Sequence, residues 1–225
     1  MALGDHRLRL SDAGDHCYLD LIQSVSSTAR RVKGTLFVDY VRMLRRRSDV
    51  DWSQWLEAVD LGYLVQRTDP DAWYPMETFE RMGIAILTAI AEGDLETVRI
   101  FGRASIDWLC QTHGNLVAPG DPRDTLMRFQ VLRRSFFDYS ALEIGSISDG
   151  EASVVVSYGM GPRAEEAASW QTLGFFERLL EVAGATQVKA RFSSRSWTGD
   201  LVTTVELQWE QPPISSNPGA APSRP

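Results

Sequence analysis

Lysine, cysteine and histidine are scarce in this 225-residue chain, with two, two and three residues respectively. Cys17 and Cys110 are too few for a disulfide framework and too far apart for a zinc knuckle. Of the histidines, His16 lies in Asp15-His16-Cys17, where neighbouring side chains on an extended segment point apart and no second cluster completes four ligands. His113 stands three residues after Cys110 on a helical stretch, a spacing that suits a buried thiol beside a helix-end imidazole. No metal site is expected. Apolar runs of the roughly 18–20 residues needed to span a membrane are absent. So is a basic region followed by an apolar core at the N-terminus, and a cytoplasmic location without membrane insertion is expected. Catalytic signatures are missing as well. No serine sits in a G-x-S-x-G elbow and there is no Walker loop. Gly159-Met160-Gly161-Pro162 stops after two glycines, and Glu165 and Glu166 would repel an anion at the helix that follows.

What is present is acidic overall, with a net charge of −7 that argues against general nucleic-acid binding. That total hides an asymmetry. Residues 30–47 carry seven cationic side chains against Asp39 alone, whereas 49–96 carry eleven acids against Arg67 and Arg81. Such blocks either complement each other inside one fold or mark a partner surface, with Arg42, Arg45 and Arg46 as the candidate partner-binding residues.

Helical periodicity dominates the first two thirds of the chain. From Val32 to Arg47, Leu36, Phe37, Tyr40, Val41 and Leu44 share one face, and Asp39, Arg42, Arg45 and Arg46 lie almost opposite. Asp51 to Leu56 reads as a short helix, followed by a connector through Gly62 and a turn at Thr68-Asp69-Pro70-Asp71. Pro75 suits a helix start, and Met76 to Ala91 is apolar nearly all round, as in a buried helix. Asp94 caps the next helix, where Leu95, Val98, Phe101 and Trp108 recur at helical spacing. Asp121-Pro122 opens a fifth.

The period then changes to two. Two short apolar runs flank Asp149-Gly150, a hairpin signal. A sixth helix spans about 163–183, and a second hairpin joins Val188–Phe192 to Leu201–Trp209. The expected fold is α+β, with an N-terminal helical bundle packed on a four-stranded antiparallel sheet of β-β-α-β-β order. In chain terms this is an N-terminal extension over 1–31, a helical layer over 32–137, a sheet layer over 138–210 and a Pro/Ser/Gly-rich disordered tail over 211–225.

Several short motifs carry a family likeness. Val32-Lys33-Gly34-Thr35-Leu36-Phe37 opens the first main helix, and Trp73-Tyr74-Pro75-Met76-Glu77 opens the third. Arg133-Arg134-Ser135-Phe136-Phe137 precedes the sheet, Gly174-Phe175-Phe176-Glu177 lies in the sixth helix, and Ser196-Trp197-Thr198-Gly199-Asp200 turns the last hairpin. With this element order, the chain resembles over roughly 30–210 the superfamily of haem-nitric-oxide-binding sensors, vinyl-reductase-type ligand domains and Bet-three-like transport-complex subunits. Within it, the chain is most similar to a largely myxobacterial family of about this length. The resemblance implies a regulatory domain that binds a ligand or a protein. Haem sensors of this type use an axial histidine on a helix and a Tyr-x-Ser-x-Arg stretch for the propionates. Here the nearest stretch is Phe192-Ser193-Ser194-Arg195, and His113 sits near a helix end, so haem is not expected. The vinyl-reductase-type domains carry cysteines near the final strands, which this chain lacks, so neither zinc nor any other cofactor is expected.

Three functions remain open. The first is a non-enzymatic bacterial signalling or regulatory domain that binds a small amphipathic ligand between helical layer and sheet, lined by Trp73, Trp108, Arg133, Phe136, Tyr139, Tyr158 and Trp170. The second is a protein-interaction or scaffold module, acting through the basic helix at 35–47 or the sheet edge, or by homodimerisation. The third is an enzyme using Asp138 or Glu143 as a base near Arg133.

Overall fold

The computed structural model describes residues 29–211, so 1–28 and 212–225, which hold most of the expected extension and tail, lie outside the described residues. Six α-helices and a four-stranded antiparallel sheet make up the α+β fold. The chain enters through β1 (Arg31–Lys33), which pairs antiparallel with β2 (Trp73–Pro75), two short strands that the sequence pattern does not announce. The segment leading to the large sheet joins them. Val32 bridges Phe137, the Lys33 N–H donates to the Phe136 carbonyl, and the Asp138 N–H donates to the Arg31 carbonyl. Three distant segments are thereby tied where the first helix begins.

That helix, α1 (Gly34–Arg45), buries Phe37, Tyr40, Val41 and Leu44, as its periodicity predicts. Phe37 stacks on Tyr74 at 4.2 Å and Tyr40 on Phe79 at 4.1 Å, so the helix is seated by ring-on-ring contacts. The expected helix over 51–56 is only a 3-10 turn at Trp52–Gln54. The expected connector instead contains α2 (Ala58–Val65). Its eight residues include Gly62 and show no clear periodicity, because its stability comes from tertiary partners rather than propensity. Asp60 accepts from the Glu57 N–H at its start. At its end Arg45 donates to the carbonyls of Leu64 and Tyr63, at 2.7 and 3.0 Å, and to that of Gln66.

Asp60 is fully buried and takes a bidentate pair from Arg81, at 2.6 and 2.9 Å. Arg81 lies on α3 (Met76–Ala85), which continues through one wide π turn at Ile86–Ile90 and ends at Glu92 and Gly93, both with positive φ. Asp94 caps α4 (Leu95–Thr112) through the Glu96 and Thr97 N–H groups, and Asp121 caps α5 (Pro122–Leu132). The sheet follows as β3 (Leu142–Ile147) and β4 (Glu151–Val156), joined at Gly150 with φ +110. After α6 (Pro162–Val182) come β5 (Thr186–Ser194) and β6 (Thr203–Glu210), giving the order β3-β4-β6-β5. Leu173, Phe176, Leu179 and Leu180 of α6 belong to a buried core with Val154, Val156, Val205 and Leu207 of the sheet.

The other side of α6 meets α4 at very short range. A Cβ on Gly102 would stand 1.8 Å from the Gln171 carbonyl oxygen, and one on Gly174 would stand 2.0 Å from that of Arg99. Only glycine permits this approach. Charge reinforces it on the same helix pair. Arg99 clasps the buried Glu177 at 2.9 and 2.6 Å, and Arg103 reaches Glu177 at 3.2 Å and Glu181 at 2.7 Å.

These contacts can be tested singly. Gly102→Ala and Gly174→Ala should each lower stability by about 1–3 kcal/mol in urea unfolding, because the blocking atom is backbone and cannot rotate away. Asp60→Asn should cost about 1–3 kcal/mol at neutral pH, since the partly exposed Arg81 would lose its partner. Burial pushes the Asp60 carboxyl up, but hydrogen bonds from Arg81, Thr78 and the Glu57 N–H outweigh it and hold the group below its ordinary 3.8. Its contribution is therefore complete above pH 3.8 and is lost as pH falls through the lower folded value. The deficit of the variant should shrink over that acid window, measured by denaturant midpoints at stepped pH.

Candidate ligand cavity

Because glycine brings α4 and α6 so close at their crossing, the side chains on their α1-facing sides are left to wall a space. A cavity of about 550 Å3 lies among α1, α3, α4, α6 and the Phe136–Leu142 junction, a size typical of small-molecule sites. Phe129, Phe136 and Phe175 cluster at one end of it, with ring centroids 5.1–6.2 Å from Phe129. The polar groups of the wall largely satisfy one another. The Tyr40 hydroxyl donates to Gln171 Oε1 at 2.6 Å, and the Tyr158 and Thr172 hydroxyls lie 2.6 Å apart. Burial raises both phenols above their ordinary range. The inner surface therefore offers a ligand mainly carbon.

The opening is different. Exposed Arg42 and Arg46, with Arg47, Asp39 and Trp108, border it. Arg42 reaches Asp39 only at 3.4 Å, while Arg47 is engaged by Asp49 at 2.9 Å and by the Ala89 carbonyl of the π turn at 3.3 Å. Burial pushes the Asp39 carboxyl up, against the opposing pull of Arg42.

Of the aromatic candidates, Trp108, Phe136 and Tyr158 line this cavity. Trp73, Arg133 and Tyr139 instead line a second, shallower groove of about 480 Å3 beside the α5–β3 junction. Trp170 lines neither and packs on Phe192 of β5, with centroids 5.6 Å apart. Arg42 and Arg46 border the opening, but Arg45 is committed to the carbonyls that end α2. Tyr40, Phe79, Phe101, Phe129, Gln171 and Phe175 also line the cavity, although the sequence did not mark them as ligand-binding residues. Apolar spacing identifies an inward face but cannot say whether the space it faces is filled.

Asp138, Glu143 and Arg133 do share the shallower groove, where the two acids are paired or hydrogen-bonded locally and Arg133 keeps a buried Nε without a partner among the described residues. Burial pushes the Asp138 carboxyl up, but the Arg31 guanidinium at 2.8 Å and the Arg31 N–H at 2.7 Å outweigh it and hold the group low. Glu143 accepts from Ser140, and Arg133 donates to the Leu142 carbonyl. Burial raises the Cys110 thiol, which removes the thiolate character a nucleophile needs. Among the described residues, no group of three His, Cys, Asp or Glu side chains could hold a metal ion. No described helix is long and apolar enough to cross a membrane. His113, the histidine that closes α4, and Cys110 are both outside the cavity wall.

No family model and no curated protein matches the sequence. Solved structures do match. A point mutant of the T. tengcongensis H-NOX superposes with a TM-score of 0.52 at 13% identity, covering 81% of this chain and 100% of that one. A point mutant of the K. algicida H-NOX protein, solved as Fe(II) unliganded, gives 0.55 at 11% identity, covering 80% and 97%. An oxygen-binding H-NOX domain related to soluble guanylate cyclases, solved as its oxygen complex, gives 0.53 at 14%, covering 80% and 96%. At these identities the likeness is one of fold, and the chain has the fold of H-NOX domains.

Proposed function

We propose that the protein is a non-enzymatic regulatory or signalling domain that binds a small amphipathic ligand in the α1–α4–α6 cavity, without haem. The observation that carries the reading is the cavity itself, walled by aromatic carbon with its inner hydroxyls paired. The H-NOX-like fold supports a sensory role by analogy of architecture alone.

Haem requires an axial donor, supplied in proteins by imidazole, thiolate, thioether or phenolate. Among the described residues, no histidine or cysteine lines the cavity. Its phenols are hydrogen-bonded and raised by burial, away from phenolate. Met43, the remaining candidate donor, is a single weak ligand. The wall does not fit an iron porphyrin. Catalysis is disfavoured because the acids of the shallower groove are each neutralised or hydrogen-bonded locally.

The neutral probe N-phenyl-1-naphthylamine should bind saturably with one equivalent per chain, and its fluorescence should rise. At a hundredfold excess over the dissociation constant it should add about 2.7 kcal/mol of stability. Ser105→Trp, which places an indole into the cavity from α4, should abolish binding while leaving the circular dichroism spectrum intact. Undiminished binding in that variant would remove the cavity as the ligand site. In a parallel titration, added haemin should produce no spectrum of iron ligated by a protein side chain, and the appearance of one would overturn the haem-free reading.

A further inference from the structure

We infer that the ligand carries an anionic headgroup, a carboxylate, phosphate or sulfonate, held at the cavity opening by Arg42 and Arg46 with its apolar portion among the aromatic rings. This rests on the cavity being the ligand site and specifies the chemistry that enters it. Three guanidinium groups border the space against one carboxylate, Asp39. They are not equally committed. Arg47 is held by Asp49 and the Ala89 carbonyl, and the neighbouring Arg45 is used to end α2. Among the described residues, Arg42 has only its 3.4 Å contact with Asp39. Arg46 is exposed and makes no side-chain ion pair or hydrogen bond among the described residues.

Arg42 lies in the last turn of α1 and Arg46 caps it with its N–H donating to the Arg42 carbonyl, so the two are one turn apart and their guanidinium groups can converge on a single anion. Guanidinium binds such oxyanions through paired, charge-assisted hydrogen bonds. The interior selects the same orientation. With Tyr40 bonded to Gln171 and Tyr158 to Thr172, an anion carried inward would meet no counter-charge and at best neutral donors such as the Gln171 amide, so the headgroup stays at the opening. The negative C-terminal end of α1 opposes an anion and is offset by the arginines themselves, and among the described lining residues the one acid is Asp39. It is half-buried, where its own charge is already disfavoured.

Dodecanoate, dodecanol and dodecylamine, kept below their micellar concentrations, can be compared as competitors for the neutral naphthylamine probe. Dodecanoate should displace it at a concentration at least tenfold lower than dodecanol, with dodecylamine the weakest. The Arg42→Gln/Arg46→Gln double variant should weaken dodecanoate at least tenfold and leave dodecanol unchanged. Asp39→Asn should tighten dodecanoate alone. Equal displacement by the three headgroups, a preference for the amine, or an undiminished carboxylate preference in the double variant would overturn the anion assignment while leaving the cavity as the site. Failure of the probe to bind the unmutated chain, or its persistence in Ser105→Trp, would instead overturn the cavity reading on which the assignment rests.

Discussion

Everything that gives this molecule a site depends on the contact between α4 and α6. At Gly102 and Gly174 the two helices approach so closely that a methyl group on either would strike the carbonyl of the other. Ion pairs from Arg99 and Arg103 to Glu177 and Glu181 join the same two helices. The contact makes one rigid unit of the two, because neither glycine nor backbone carbonyl can yield. With α6 also packed on the sheet, that unit carries Phe101, Ser105 and Trp108 from one helix and Ala168, Gln171 and Phe175 from the other into the cavity wall. The cavity is thus the space left on the α1 side of a helix pair locked at its crossing.

The cationic first helix takes on a more specific meaning within that frame. Its charge does not chiefly neutralise the acidic block that follows it. Arg47–Asp49 is the pair that links the two blocks directly, whereas Arg45 serves backbone carbonyls and Asp60 turns to Arg81 within the acidic block. What remains at the cavity edge is Arg42 and Arg46, and an edge of that sign beside a carbon-lined interior is the arrangement on which the proposed amphipathic ligand rests. Fold likeness to H-NOX domains concerns the architecture alone, and the side chains of the wall say what the space can hold.

Much of the architecture was legible from one-dimensional pattern. The face of α1, the helical character of α3, the aspartate caps of α4 and α5, the Asp149-Gly150 hairpin and the position of α6 all follow from local chemistry that acts within a few residues. The elements that escaped the pattern are those made by distant partners. Helix α2 depends on Arg45 and the Asp60–Arg81 pair, and the β1–β2 ribbon depends on a bridge from Val32 to Phe137, across more than a hundred residues. A related limit applies to the site. Aromatic character and nearness to the helix–sheet junction mark Trp108, Phe136 and Tyr158, but they mark Trp73, Tyr139 and Trp170 equally, and these line another groove or pack on β5.

The amino-acid sequence alone determined most of the secondary elements, the α+β layering, the basic stripe on α1 and the scarcity of histidine and cysteine. These follow from periodicity, capping and composition, which are properties of short segments. Only the tertiary structure decided that the inward faces of α1, α4 and α6 enclose space instead of filling it, and which arginines of the stripe stay uncommitted beside it. Whether a ring meets another ring or an empty volume depends on how closely backbones approach elsewhere. Here that distance is set by two glycines whose importance lies in what they lack.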